Sequence, residues 1–369
     1  MTEWTADDHR HMARALQLAE RGLYTTTPNP RVGCVLVRDG ERVGEGWHER
    51  AGGPHAEVAA LAAAGESARG ATAYVTLEPC CHQGRTPPCT DALLQAGVRE
   101  VVYAMDDPNP QVAGQGAAAL REAGVVVRGG LMAAAAAALN PGFVARMTRQ
   151  RPWLRVKVAA TLDGRTALAS GDSRWITGKP ARTDVHRLRA RSCAVMTGIG
   201  TLLADAPLLT VRHVETSRQP LRIVVDNNLA FPLDAATLRE PGGVLVATAS
   251  SDEERIDALR EAGAEVLQID TWRGRVGLPR LLGLLAERGI NEVLVEAGQT
   301  LNGALLAAGL VDELILYFNA RVIGSSGRGM FALPALESMQ SAYSFAITDT
   351  RMLGSDLRVT LRPEAADHV

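Results

Sequence analysis

Hydrophobic residues along this chain change period repeatedly, and the changes mark out its elements. In MARALQLAERG the apolar positions recur at helical spacing and a glycine closes the run, which predicts a helix over 10–22. RVGCVLVRDGERVGEGWH follows and reads as a hairpin with Asp39-Gly40 at its turn. HAEVAALAAAG predicts a helix and ATAYVTL a buried strand; TDALLQAG, EVVYAM, AAALREAG and VVVRGG continue the alternation of helix and strand. Such alternation specifies a layered α/β domain. LMAAAAAALNPG is low in complexity, but alanine is the best helix former, so a helix is expected there too.

RMTRQRPW, residues 146–153, breaks this pattern. It is basic and polar, ends in Arg-Pro-Trp, and reads as a linker. A second alternation begins beyond it: RVKVAATLDG, a helix over 180–190, the strands CAVMTG, LRIVVD and GGVLVAT, and helices around 252–262 and 277–289. NEVLVEAG, TLNGALLAAG and DELILYF follow, and SFAITDTRMLG and LRVTLRP alternate like paired edge strands. The expectation is two α/β domains, 1–148 and 149–369, and a chain of 369 residues suits two cores better than one. The phrases PNPRVG and DPNPQVAG echo each other, which reads as shared turn chemistry rather than a repeat.

The composition, 46% hydrophobic and 22% charged, is that of a globular protein. A net charge of −2 lacks the basic excess of a duplex-binding protein, so no nucleic-acid partner is expected, whereas scattered basic residues suit small anions. The acidic start MTEWTADDHR is no secretory signal. No apolar run approaches the ~20 residues that span a bilayer, so no membrane partner is expected. The expected compartment is the cytoplasm, where thiols stay reduced.

Against that background LEPCCHQGRTPPC (77–89) stands out, with three of the five cysteines and a histidine. A disulfide staple suits neither a reducing compartment nor an odd cysteine count. With GGPHAEVAAL upstream, the stretch spells His-x-Glu, Pro-Cys, Cys. One imidazole (His55) and two thiolates (Cys80, Cys89) leave a fourth tetrahedral position for water, the arrangement of a catalytic zinc. Glu57, two residues from a ligand, is placed to take a proton from that water, as in the zinc deaminase pattern. That pattern has two residues between its cysteines; here eight intervene, and they include the rival ligands Cys81 and His82. A closed structural zinc using either one is the alternative. Cys34 and Cys193 read as core residues.

Signals in the second half are weaker. Gly198-Ile-Gly200 lacks the third glycine of a dinucleotide fingerprint. VEAGQTLNGALL ends a buried strand in Glu296 and opens a helix whose free N–H groups would suit a phosphate, or it is an ordinary strand-to-helix turn. GSSGRG (324–329) reads as a flexible loop, and Asp163-Gly164 as a turn.

TPNPRVGCVLV, GGPHAEVAAL, AYVTLEPCCHQGRTPPC and DPNPQVAGQG resemble, in order and spacing, the deaminase half of the bifunctional riboflavin-biosynthesis deaminase/reductase family, where long cysteine spacing is usual. KVAATLDGRTALASGDSRWITG, RSCAVMTGIGTLLADAPLLTVR, LRIVVD and VEAGQTLNGALLAAGLVDELILY resemble its reductase half, so the likeness runs through about the whole chain. It implies a cytidine-deaminase-like three-layer α/β/α domain followed by a dihydrofolate-reductase-like α/β domain. It further implies one Zn2+ on His55, Cys80 and Cys89, Glu57 as proton shuttle, and Asn29, His48 and His82 around a pyrimidine ribose-phosphate. For the second half it implies NADPH on Lys157, Ala159, Trp175, Thr201, Asp205, Asn227, Gly298, Gln299, Thr300, Leu301, Asn302, Gly303 and Ala304. Ser173, Arg189, Leu209, Arg212 and Glu296 would hold the substrate, the arginines suiting its phosphate. Where this chain has Asn227 the family often has Ser. The family forms homo-oligomers, and the same is expected here.

Overall fold

A computed structural model describes residues 3–82, 87–110, 112–272 and 274–364. It divides into two compact units, Met1–Gln150 and Arg151–Val369. No helix among the described residues is long and apolar enough to cross a membrane.

The first unit contains, in chain order, α1 (Ala6–Glu20), β1 (Gly33–Arg38), β2 (Glu41–Trp47), α2 (Ala56–Ala64), β3 (Thr72–Val75), α3 (Cys89–Gln95), β4 (Glu100–Tyr103), α4 (Gln115–Glu122), β5 (Val126–Gly129), α5 (Ala133–Leu139) and α6 (Pro141–Arg149). The sheet order is β2-β1-β3-β4-β5. β1 pairs antiparallel with both β2 and β3, and β3, β4 and β5 run parallel. The Asp39-Gly40 turn has positive φ at both residues (52° and 81°), the geometry that suits a tight hairpin.

Side chains alternate across the sheet and divide the core in two. Cys34, Leu36, Ala73, Val75 and Val101 pack with Ala56, Ala60, Leu93 and Leu120 of α2, α3 and α4. Val35, Val37, Tyr74 and Val102 pack with Met12, Ala15 and Leu18 of α1 and Ala136 of α5. This is the expected three-layer α/β/α arrangement. Cys34 is a fully buried core residue.

Two expectations shift. The first helix begins at Ala6 rather than 10, because Thr5 and Asp8 cap each other's backbone N–H groups. Half of the expected linker, 146–149, is the last turn of α6, and Gln150, at φ 53°, ends that helix three residues before the next strand.

Gly44 and Gly46 let α2 lie directly on β2. A Cβ at Gly46 would sit 2.4 Å from the Ala60 nitrogen and 2.6 Å from the Ala56 oxygen. Gly46→Ala is therefore expected to cost about 1–3 kcal/mol in denaturant unfolding. Because α2 carries His55 at its N-cap, the same variant is expected to lose bound zinc to a chelator faster than wild type.

The second unit contains β6 (Trp153–Thr161), β7 (Arg165–Ala167), α7 (Lys179–Arg191), β8 (Ala194–Gly198), α8 (Ile199–Asp205), β9 (Leu221–Val225), β10 (Val244–Thr248), α9 (Glu253–Glu261) and β11 (Glu265–Gln268). It continues with β12 (Thr271–Trp272), β13 (Arg275–Val276), α10 (Leu278–Glu287), β14 (Glu292–Val295), α11 (Gln299–Ala307), β15 (Glu313–Asn319), β16 (Arg328–Gly329), β17 (Phe345–Leu353) and β18 (Asp356–Pro363). Nine strands form one sheet, β11-β10-β9-β8-β14-β6-β15-β18-β17. It is parallel from β11 to β15, with an antiparallel hairpin on the far side.

Leucines of α10 and α11 cover one face, and α7, α8 and α9 cover the other. Of the two strands expected at the edge, only β17 lies there, since β18 is held between β15 and β17. The GSSGRG stretch, expected to be flexible, ends in β16, which pairs with β7. Its Gly324 N–H also donates to Asp163, 2.8 Å away. Cys193 is a core residue whose sulfur accepts the N–H groups of Asn291 and Glu292 at 3.3 Å each.

Candidate active sites

In the first unit the connection after β3 and the starts of α2 and α3 converge. His55 occupies the N-cap position of α2 without a side-chain capping bond, Glu57 lies in its first turn, and Cys89 is the first residue of α3. Cys80 lies in the connection between β3 and α3, where its carbonyl accepts the Thr90 N–H at 3.2 Å. The His55 Nδ1 is 3.2 Å from the Cys89 sulfur and 3.6 Å from the Cys80 sulfur. His55, Cys80 and Cys89 form a metal-competent cluster whose donor atoms all lie within 4.8 Å of one another. Tetrahedral zinc with ordinary bond lengths needs N···S separations of about 3.6 Å. The donor set and its spacing fit that ion. Among the described residues neither Cys81 nor His82 joins the cluster.

The sulfurs are electrostatically unequal. A hydrogen bond from the Cys89 thiol outweighs burial and, with help from His55 and the Cys89 backbone N–H, holds Cys80 well below the usual thiol range; the same sharing pushes Cys89 up. Glu57 is 4% exposed, and burial, reinforced by the Cys80 charge, pushes its carboxyl up to about 7.

A cavity of about 400 Å³ opens over this cluster, and His55, Glu57, Cys80, Asn29, His48 and His82 all line it. His48 donates from Nδ1 to the Pro54 carbonyl (2.9 Å), which leaves Nε2 to accept from the Asn29 amide at 3.0 Å. Burial lowers the pKa of His48 and favours that neutral acceptor. Glu78, Asp107, Asn109, Phe143, Arg146 and Met147, none of them expected from sequence, line the cavity as well. One available signal was the echo of PNPRVG in DPNPQVAG, since Pro28, Asn29 and Pro30 share this cavity with Asp107 and Asn109. Residues 83–86 of the long cysteine insert lie outside the described residues.

In the second unit the residues singled out gather at the C-terminal ends of neighbouring parallel strands, where open α/β sheets bind ligands. Glu296, just beyond β14, receives Arg189 in a two-pronged pair (2.5 and 3.0 Å), and the Lys157 ammonium lies 3.7 Å away. Burial alone would raise the Glu296 carboxyl, but Arg189 and Lys157 overcome it and hold it at about 2. Burial lowers Lys157 in turn, opposed by Glu296. Arg189 also donates to the Thr210 carbonyl at 2.9 Å. With Arg189 so engaged, Arg212 is the arginine that presents an exposed side chain. Its backbone N–H donates to His186 Nδ1 (3.0 Å), and its guanidinium donates to the Thr210 hydroxyl at 2.9 Å. Leu209, at φ 55°, turns the chain into this segment.

The Gly298 N–H donates to the Thr201 hydroxyl (3.1 Å), joining the start of α11 to α8. Gln299 begins α11, followed by Thr300, Leu301, Asn302, Gly303 and Ala304. Asn302 and Gly303 face inward: the Asn302 amide donates to the Ala297 and Met330 carbonyls, and a Cβ on Gly303 would meet the Ala332 oxygen at 2.1 Å. Trp175 is 64% exposed under the Arg182 guanidinium. The Asp205 carbonyl accepts from Arg174 (2.8 Å), and Ser173 is the residue before Arg174. The Asn227 side-chain oxygen accepts the Val276 N–H at 2.9 Å. Lys157 and Ala159 project from the same face of β6, opposite Ile315 and Tyr317 of β15.

Comparison with known proteins gives this geometry a family. Residues 152–357 match the RibD C-terminal domain, and residues 5–105 match the cytidine and deoxycytidylate deaminase zinc-binding region. Riboflavin biosynthesis protein RibD of Escherichia coli K12 is 50% identical over 363 residues, covering 95% of this chain and 98% of that one. A crystal form of Acinetobacter baumannii RibD superposes with TM-score 0.91 at 46% identity, covering 97% of this chain and 99% of that one. The diaminohydroxyphosphoribosylaminopyrimidine deaminase/5-amino-6-(5-phosphoribosylamino)uracil reductase of Thermotoga maritima superposes with TM-score 0.87 at 35% identity, with the same coverage. By sequence, fold and paired sites the chain belongs to the RibD family, the bifunctional deaminase/reductases of riboflavin biosynthesis.

Proposed function

We propose that the first unit hydrolyses the 2-amino group of 2,5-diamino-6-(5-phosphoribosylamino)pyrimidin-4-one. The second unit then passes a hydride from NADPH to C1 of the ring-opened ribose, leaving a ribityl chain. The observation that carries this reading is the meeting of His55, Cys80 and Cys89 in one donor cluster, with His55, Cys80 and a buried Glu57 lining the cavity beside it. The name of the Thermotoga maritima relative supports the same pair of reactions.

His55, Cys80 and Cys89 would hold zinc, which when bound would supply Lewis acidity to activate a water near neutral pH. Glu57 takes the proton of the attacking water and returns it to the departing amine, so water enters and ammonia leaves. Its buried carboxyl, near 7, is suited to moving that proton in both directions. Asn29, with its amide nitrogen held by His48, offers its carbonyl oxygen to the pyrimidine ring, and His82 lines the approach.

In the second unit Lys157, Ala159, Trp175, Thr201, Asp205, Asn227 and residues 298–304 would hold NADPH, Asn302 and Gly303 by shaping the helix start from its packed side. Ser173, Arg189, Leu209, Arg212 and Glu296 hold the substrate, with Arg212 on its phosphate. We read the enzyme as cytoplasmic, since thiolate ligands suit a reducing compartment, and as a homo-oligomer in line with its family resemblance.

Stripping zinc with a chelator is expected to stop ammonia release, while NADPH oxidation on the deaminated substrate continues; added zinc should restore the first activity. Full ammonia release from metal-free enzyme would refute the assignment.

A further inference from the structure

We propose that Glu78 is a positioning residue of the deaminase, fastening one wall of the cavity to the metal ligand Cys80. The inference rests on reading that cavity as the deaminase site. Glu78 is 2% exposed, and its carboxylate is spent on backbone alone: Oε2 accepts the N–H groups of Gly114 (2.9 Å) and Asp107 (3.3 Å), and Oε1 that of Ala117 (3.0 Å). Its own N–H donates to the Met105 carbonyl at 3.0 Å. Gly114 and Ala117 flank the start of α4, so the charge sits at the positive end of that helix.

The contact is closed on its other side too. A Cβ on Gly116 would lie 1.9 Å from the Pro79 oxygen, so α4 meets the Glu78 segment backbone to backbone. Glu78, Pro79 and Cys80 are consecutive, and Asp107 and Asn109 line the same cavity as Cys80. One buried carboxylate thus sets the distance between a metal ligand and the wall facing it. Glu78 reaches the reacting atoms only through these neighbours.

Glu78→Gln tests this. The amide keeps the shape, but in either orientation its NH2 group confronts backbone N–H groups that Glu78 accepts. The KM of the deaminase for its pyrimidine is expected to rise by about tenfold, the loss of roughly one charge-assisted hydrogen bond. Zinc is expected to pass faster to a chelating dye, while reductase activity on the deaminated substrate, read on the same preparation, stays at the wild-type level. Wild-type KM and zinc release in the variant would overturn the proposal. So would loss of both activities together with lowered thermal stability, which would assign Glu78 to folding alone. If Glu78→Gln does not accumulate, Glu78→Asp, which keeps the charge and shortens the reach, is read on the same measurements with the same expected signs. Absence of ammonia release from the wild-type chain would fault the site reading instead.

Discussion

Glu57→Gln is expected to lower the deaminase kcat by about 10²–10⁴-fold, the usual worth of a positioned general acid–base. The amide fills the same space at the start of α2, so the ligand geometry is preserved, yet it accepts no proton at neutral pH. Zinc content should therefore match wild type, and so should NADPH oxidation on the deaminated substrate, because Glu57 belongs to the first unit. Measuring ammonia, metal and NADPH absorbance on one preparation separates the possibilities. A variant that loses zinc would mean that Glu57 supports the ligands, and one that keeps full ammonia release would remove Glu57 from the chemistry.

The second large effect is expected at Glu296. Its side chain is 10% exposed, and it neutralises Arg189 and Lys157, themselves 12% and 18% exposed. Glu296→Gln leaves two cations buried without their counter-charge, which typically costs about 3–5 kcal/mol. Denaturant unfolding of the second unit should shift by that order, and NADPH oxidation should fall with it while ammonia release persists. The pH dependence has a definite sign. The carboxyl titrates near 4.5 in its ordinary state and at about 2 in the fold, so its stabilisation is complete above pH 4.5 and drains away as pH falls toward 2. Wild type should lose stability across that window, and Glu296→Gln should lose less. Equal acid sensitivity in the two proteins would remove Glu296 as the cause.

The first unit was the more legible in sequence. Its strands and helices announced themselves by period, and the ligand residues by type, because His-x-Glu at the start of α2 and Pro-Cys in the β3–α3 connection are local signals. Boundaries suffered where a cap decided them: Thr5 and Asp8 start α1 four residues before its apolar stripe becomes visible. The linker suffered for a related reason, since Arg146 and Arg149 belong to the last turn of α6, and Arg151 beyond it is held by Asp312. In the second unit the resemblance named Arg189 and Glu296 separately, but nothing in the spacing showed that they would pair across 107 positions.

Local chemistry and periodicity encode two α/β alternations, an imidazole with two thiols, and a carboxyl two residues from a ligand. Tertiary structure alone decided which groups face each other. Among the described residues it left Cys81 and His82 out of the donor cluster, brought Asp107 and Asn109 to the same cavity, and turned Arg189 toward Glu296. The physical reason is distance along the chain. Period and residue type act over a few residues, whereas burial, pairing and the field at a carboxyl depend on neighbours that only the packed sheet brings within reach.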